Sequence, residues 1–210
     1  MAASFMEIVG GVVGFGFLLY YWKKEKLKKA NPQDLKHLPE RFVVFDLETT
    51  GLDSSKHEII EIGAIRVNRD STEHETFQSL VKPKRKVPKK ITEITGITHE
   101  MVMADGEALD EAVRGFMEFA GDLPLVSFNA EFDMAFLRKA ARDSSLEVNN
   151  EVSCALLMAR RAWPGRKSYR LANLAADGNL DGSDAHRALA DCKRALIVYA
   201  AASARLGSSR

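Results

Sequence analysis

The chain has very little cysteine and no excess of either charge. Only Cys154 and Cys192 occur among its 210 residues, far apart and outside any Cys-x-x-Cys spacing. This pattern argues against a disulfide framework or a zinc ribbon and fits a reducing compartment. A formal net charge of +1 argues against a histone-like nucleic-acid binder, so any contact with a polyanion must come from local basic clusters. With neither repeats nor low-complexity tracts, the composition is that of one well-cored globular domain.

Charge is also nearly absent from the first part of the chain. Residues 2–22 contain one charged residue, Glu7. A helix of this length, at about 1.5 Å per residue, spans roughly 30 Å, the thickness of a bilayer core. The aromatic residues 20–22 suit the membrane interface, and the basic residues 23–29 suit a cytoplasmic flank. These features predict a single-pass transmembrane anchor over residues 1–22 and a membrane-anchored protein whose folded domain lies in the cytoplasm.

Two other interpretations of this segment stay open. On the first, residues 1–22 are a cleaved or interfacial segment. On the second, they form a helix buried in a soluble protein. A secretory signal would place basic residues before the apolar run and a small-residue cleavage site after it, and both are missing. On the anchor interpretation, residues 23–40 form a basic connector, residues 41–205 the folded domain and residues 206–210 a tail.

The folded part alternates between strand and helix patterns. Apolar or alternating segments predict strands over residues 41–47, 59–68, 75–81 and 123–128, and a short fifth strand near Val152. Apolar residues at helical spacing predict helices over residues 105–120, after Asn129, through Arg160, over residues 171–176 and near the C-terminus. Three meander strands followed by alternating helices and strands predict an α/β domain with a mixed sheet.

The stretch "FDLETTGLD", residues 45–53, places two carboxylates on one strand face. Asp46 and Glu48 are two positions apart at the end of an apolar strand, so their side chains point the same way. Such like charges are unfavourable unless a cation lies between them. A lone Asp-x-Glu pair is more often a solvated strand end, but this pair runs into a Thr-Thr-Gly turn.

Two further acids and one histidine lie in similarly unusual places. Asp133 falls in the first turns of a helix between two phenylalanines, where an acid often serves only the helix dipole. Asp191 lies on the apolar-leaning side of the last helix, and Arg187 could pair with it there. His186 precedes Asp191 by five positions, about 140° around a helix, so the two can flank one cleft.

The ordered motifs "FDLETTGL", "NAEFDMAFL" and "HRALAD" resemble the DEDDh branch of DnaQ-like 3′–5′ exonucleases, which includes the proofreading subunit of bacterial replicative polymerase. The resemblance covers residues 41–200. It implies a ribonuclease-H-like fold, with a mixed five-stranded sheet flanked by helices, here preceded by the transmembrane helix. It also implies two divalent cations, Mg²⁺ with Mn²⁺ as a substitute, and stepwise release of nucleoside 5′-monophosphates from a 3′ end.

The resemblance also assigns roles to residues. It makes His186 the general base, a role that suits histidine because the ordinary pKa of this residue type is close to neutral pH. It makes four acids the metal ligands: Asp46, Glu48, Asp133 and Asp191. It places three residues around the terminal nucleotide: Thr49, Leu52 and Phe132.

The expected substrate is the 3′ end of single-stranded DNA. An exoribonuclease of the same fold is the alternative, since the contact that distinguishes a 2′-hydroxyl is a local geometry. A second alternative is a non-catalytic module that binds nucleic acid. Basic residues cluster at 82–90 and 160–170, where they either follow a phosphate backbone or are solvated loops. A polymerase partner is compatible with the resemblance, although no docking peptide is recognisable.

Overall fold

The computed structural model describes residues 38–71, 73–177 and 186–207. Its centre is a five-stranded sheet in the order β3-β2-β1-β4-β5. The strands are β1 (Arg41–Thr49), β2 (Ile59–Asn68), β3 (Glu75–Leu80), β4 (Leu125–Ser127) and β5 (Val152–Cys154). β1 pairs antiparallel with β2 and parallel with β4, so the sheet is mixed, as the sequence predicted. The ends of β1, β3 and β4 and the start of β2 therefore share one edge of the sheet.

Helices cover both faces of this sheet. They are α1 (Lys89–Thr95), α2 (His99–Asp105), α3 (Leu109–Ala120), α4 (Ala130–Asp143), α5 (Ala155–Ala162), α6 (Leu171–Asp177) and α7 (Ala188–Gly207). The alternation of β1 separates two cores. Phe42 and Val44 pack on the side of α5, α6 and α7, whereas Val43 and Phe45 pack on the side of α3 and α4. Asp46 and Glu48 lie an even number of positions after Phe42 on β1, so their side chains point to the same face of the sheet, toward α7.

The helix predicted over residues 105–120 is shorter, and two helices before it were not predicted. Glu107 forms an isolated parallel bridge with Val81, so α3 begins only at Leu109. α1 and α2 have seven residues each, too few to be stable alone. They are held by a small cluster in which Ile97 and Val102 pack against Ile60 and Val87. That stabilisation is tertiary, so periodicity could not reveal it.

The prediction of a transmembrane helix in front of the sheet, and with it the membrane-anchored localisation, is contradicted. Over residues 38–71, 73–177 and 186–207, no helix combines the length and the apolar composition that crossing a bilayer requires. The one with 20 residues, α7, carries four charged side chains, those of Asp191, Lys193, Arg194 and Arg205. The predicted anchor, residues 1–22, lies outside the described residues. Leu38, at the end of the predicted connector, is buried in the core.

Candidate active site

Three carboxylates from two separate elements meet near the end of β1. Asp46 and Glu48 come from β1, and Asp191 comes from the first turn of α7. One carboxylate oxygen from each lies within 4.8 Å of the other two, and all three residues are half-buried. Their charges repel one another, so the arrangement is favourable only where protons or cations offset that repulsion.

Burial and repulsion both raise the pKa values of the acids on β1. Desolvation, followed by the charges of Asp133 and Glu48, holds the pKa of Asp46 well above the ordinary value. Desolvation, with the charge of Asp191 next, raises the pKa of Glu48 from 4.5 to about 8. In the absence of a cation, protons therefore partly neutralise the cluster at neutral pH. Divalent cations bind hard oxygen ligands and would take the place of those protons.

Asp133 lies beside Asp46 but outside this group of three. It is in the first turn of α4 and is 3% exposed. Its Oδ1 accepts a hydrogen bond from the backbone N–H of Leu47 at 3.2 Å, and its Oδ2 accepts one from the Ser127 hydroxyl. Burial raises the pKa of Asp133 to about 7 although both hydrogen bonds oppose the rise. Asp133 is thus at the floor of the same cleft, with both oxygens already bonded to the protein.

The close approach of α7 to the sheet depends on a glycine in β2. Gly63 is opposite Asp46 in the pairing of β1 with β2. A methyl group at Gly63 would lie 2.5 Å from the backbone nitrogen of Leu189 and 2.6 Å from the carbonyl carbon of Ala188. Any side chain at this position would push the start of α7 off the sheet and carry Asp191 away from Asp46.

His186 lies at the rim of the cleft, two residues before α7, and is exposed. Its backbone N–H donates to Oδ2 of Asp191 at 3.3 Å. The φ angle of His186 is 64°, a left-handed conformation that is uncommon for a residue with a side chain. Strained backbone of this kind persists only where its surroundings fix it. The structure therefore brings His186 to the carboxylates and holds its backbone there.

A buried acid in β2 belongs to the same cleft, although no motif singled it out. Glu61 is fully buried and is opposite Glu48 in the strand pairing. Its carboxylate accepts hydrogen bonds from the Arg187 guanidinium at 2.7 Å, the Ala188 N–H at 2.9 Å and the Gln78 amide at 2.9 Å. An acid flanked by isoleucines in an apolar strand was the available signal, because a buried charge needs partners.

The Arg187–Glu61 pair ties the start of α7 to the sheet. It joins residues 126 positions apart, and Arg187 directly follows His186. Arg187 is 36% exposed in its side chain, whereas that of Glu61 is fully buried. The pair therefore anchors the strained backbone of His186 from one side, while Asp191 bonds to it from the other.

Replacing Arg187 by alanine is expected to lower the free energy of unfolding by about 3 kcal/mol, because it takes the arginine from a buried carboxylate. Urea denaturation of the full-length chain measures this loss. The control is Lys139→Ala, which removes an exposed ion pair with Asp143. That change should cost less than about 0.5 kcal/mol. A loss in Arg187→Ala no larger than in the control would contradict the anchoring role.

The three residues expected around a terminal nucleotide lie near this cleft in different settings. Thr49 is buried, and its hydroxyl donates to the Gly51 carbonyl at 2.7 Å. Leu52 is 85% exposed, which is unusual for a leucine on ordered backbone. Phe132 is half-buried, and its ring centre lies 5.1 Å from that of Phe136. The structure thus presents two apolar side chains, from the β1 turn and from α4, that solvent can reach.

The turn after β1 is shaped by a second close contact. A methyl group at Gly51 would lie 2.4 Å from the imidazole ring of His57, so a larger residue would require that ring to move. The same ring lies 3.3 Å from the Thr50 hydroxyl. His57 is half-buried against this turn. It fixes the backbone next to Thr49.

The chain matches known proteins over most of its length. The family model described as an exonuclease, RNase_T, matches residues 43–199. DNA polymerase III subunit epsilon from Aquifex aeolicus is 35% identical over 176 residues, which cover 81% of this chain and 86% of that protein. A PolC-type DNA polymerase III from Clostridium perfringens is 38% identical over 154 residues, covering 73% of this chain. The chain spans only 10% of the length of that PolC-type relative.

Solved structures of exonuclease I from E. coli share the fold. The complex with a dT13 oligonucleotide has a TM-score of 0.66 at 21% identity, covering 75% of this chain and 40% of that one. The zinc-bound form of its complex with single-stranded DNA has a TM-score of 0.65 at 21% identity, covering 75% and 39%. The family match and the epsilon relative extend over most of this chain and confirm the resemblance to DnaQ-like exonucleases. The chain therefore belongs to the RNase_T exonuclease family and is a nuclease, a hydrolase of nucleic acids.

Proposed function

We propose that the protein is a metal-dependent 3′–5′ exonuclease that removes nucleotides one at a time from the 3′ end of single-stranded DNA. The products are nucleoside 5′-monophosphates. The observation that carries the proposal is the meeting of Asp46, Glu48 and Asp191 oxygens within 4.8 Å of one another in a member of an exonuclease family. The catalytic domain is proposed to span residues 41–205, followed by a tail at residues 206–210.

The donor set fits hard divalent cations. All three ligating groups are carboxylates, and their oxygens are close enough to share an ion. Burial and, after it, repulsion between the acids raise the pKa values of Asp46 and Glu48, and a bound cation would offset both effects. Asp133 is proposed as a fourth ligand because it lies beside Asp46. Two Mg²⁺ ions, replaceable by Mn²⁺, would on binding polarise the phosphate and acidify water.

The remaining residues orient the substrate and move the proton. His186 is proposed to accept the proton of the attacking water, since its backbone is held against Asp191 at the open rim of the cleft. Leu52 and Phe132 would contact the sugar and base of the terminal nucleotide, and the buried Thr49 would keep the turn in place. An apolar contact of this kind orients the scissile phosphate without reading the base sequence.

The relatives and structural neighbours of the chain favour DNA as the substrate. The relatives at 35% and 38% identity are a DNA polymerase III subunit epsilon and a PolC-type DNA polymerase III. The two exonuclease I structures of the same fold are complexes with a dT13 oligonucleotide and with single-stranded DNA. An exoribonuclease is the alternative, and a comparison of DNA with RNA oligonucleotides distinguishes the two. Association with a polymerase is an open proposal that these relatives suggest.

The test is hydrolysis of matched 5′-labelled DNA and RNA oligonucleotides by the full-length chain. In Mg²⁺, a ladder that shortens stepwise from the 3′ end is expected on DNA, with slower loss of RNA. EDTA should stop the reaction, and Mg²⁺ or Mn²⁺ added in excess should restore it. Faster loss of RNA would assign the alternative substrate. Binding of either oligonucleotide without turnover in any divalent cation would identify a non-catalytic module.

A further inference from the structure

A basic segment, residues 82–90, follows β3 at the edge of the sheet where the carboxylates lie. It contains six basic residues and no acid. All six are exposed, whereas Pro83 and Val87 between them are buried. Val87 packs in the cluster that also holds Ile60. The segment is therefore fixed to the domain by its apolar residues and presents its charges to solvent.

Hydrogen bonds connect the basic segment to the turn after β1. The backbone N–H groups of Lys84 and Arg85 donate to the Glu58 carboxylate at 3.0 and 3.2 Å. The backbone N–H of Glu58 in turn donates to the Thr50 hydroxyl at 3.0 Å, and the N–H of Thr50 donates to the Glu58 carbonyl at 2.8 Å. Glu58 and Thr50 thus link the basic segment to Thr49, at the proposed nucleotide pocket.

Among the described residues, most of these basic side chains form no ion pair. Arg85 is 3.5 Å from Glu58, and Lys89 is 3.7 Å from Glu93. Within the described part of the chain, the other four basic residues of the segment form no ion pair: Lys82, Lys84, Lys86 and Lys90. Lys84 and Lys86 act electrostatically on Asp143 and Glu100, but not at ion-pair distance. In a chain with a net charge of +1, the segment is therefore a local concentration of positive charge.

In the other basic stretch of the sequence, residues 160–170, two of the five basic residues make contacts within the fold. Arg166 forms an ion pair with Asp177, and the Arg160 guanidinium lies 6.0 Å from the centre of the Tyr169 ring. These contacts join the loop after α5 to α6 and stabilise the fold locally. Residues 82–90 are the stronger candidate for binding a polyanion, because hydrogen bonds connect them to the turn after β1.

We propose that the basic segment binds the phosphates of the substrate strand on the 5′ side of its terminal nucleotide. The inference rests on the proposed function and adds a second contact region to the same substrate. Phosphate contacts made by lysine carry no sequence information, but they add affinity and make it depend on salt. A strand long enough to reach the segment gains this affinity, whereas a dinucleotide held in the carboxylate cleft does not.

The test measures how salt affects binding to the full-length chain. A fluorescent single-stranded oligothymidylate is titrated in EDTA, which prevents hydrolysis, between about 50 and 200 mM salt. The variant Lys84→Gln/Lys86→Gln/Lys90→Gln should reduce the slope of log K against log salt by about 2, since each phosphate contact contributes about 0.7 on a single strand. The control Lys84→Arg/Lys86→Arg/Lys90→Arg keeps the charge and should keep the slope. Unchanged thermal midpoints would show that both variants are folded.

Hydrolysis provides the second measurement. At low salt, kcat/KM for the long oligonucleotide should fall about tenfold in the glutamine variant, while that for a dinucleotide stays unchanged. An unchanged salt slope, or equal losses on the long and short substrates, would overturn the proposal. So would a loss of binding to phosphatidylserine vesicles with no change in oligonucleotide binding, which would make the segment a membrane contact. Failure of the wild-type protein to shorten a 3′ end would refute the proposed function, whatever the lysines bind.

Discussion

Asp46→Asn is expected to abolish hydrolysis and yet to stabilise the protein that has no bound metal. The activity should fall by about 10³-fold or more, because a lost metal ligand removes several kcal/mol of transition-state stabilisation. The stability should rise because asparagine has the same shape and carries no charge into a desolvated cluster of acids. A residue that costs stability while it serves chemistry behaves in this way.

The pH dependence of that gain follows from the direction of the pKa shifts. Asp46 and Glu48 both bind a proton more tightly in the folded than in the unfolded protein. Below the ordinary carboxyl pKa these groups are protonated in both the folded and the unfolded state, so they do not reduce the free energy of unfolding. As pH rises, the unfolded state ionises first and stability falls; for Glu48 this happens between pH 4.5 and about pH 8. In EDTA, the thermal midpoint of the wild type should therefore drop across this range, and that of Asp46→Asn should drop less.

Thermal unfolding followed by circular dichroism at both ends of the pH range measures these effects. The control is Asp122→Asn, which changes an exposed acid outside the cleft and should alter neither activity nor midpoint. Mg²⁺ at pH 8 should raise the midpoint of the wild type more than that of Asp46→Asn, since the ion binds the folded state. An active Asp46→Asn enzyme would show that Asp46 is not an essential metal ligand. A variant less stable than the wild type in EDTA would show that Asp46 has a structural role.

His186→Ala is expected to lower kcat by about 10²- to 10⁴-fold with little change in substrate binding, as for the loss of a general base. The side chain is exposed and the backbone is held by Asp191, so the substitution should leave the fold and the carboxylates in place. Single-turnover hydrolysis of a labelled DNA oligonucleotide separates the chemical step from binding and product release.

Imidazole added to the medium distinguishes a missing base from a disturbed site. It should restore part of the activity of His186→Ala, because the exposed position leaves room for a free base. The comparison is Asp46→Asn, whose defect imidazole should not repair. Full activity of His186→Ala without imidazole would mean that another group accepts the proton.

Two helices and one ion pair illustrate what local patterns could not reveal. α1 and α2 are short and depend on burial of Ile97 and Val102 against residues of β2 and the basic segment. Glu61 has no motif around it, and its partner Arg187 is 126 positions away. From the sequence, Arg187 was instead expected to pair with Asp191, which follows it by four positions. In the structure Asp191 pairs with Arg194 at 2.7 Å, while Arg187 turns to β2.

The sequence by itself determined the mixed sheet, the placement of Asp46 and Glu48 on one face of β1, and the order of the motifs that carry Asp133, His186 and Asp191. The sheet and the shared strand face follow from periodicity, which depends on near neighbours along the chain, whereas the motif order was recognised by its resemblance to DnaQ-like exonucleases. Only the tertiary structure decided which acids meet. Gly63 lets α7 approach β2, and this approach brings Asp191 to the β1 pair while hydrogen bonds hold Asp133 to one side. Distances between separate elements depend on such packing, which no local pattern records.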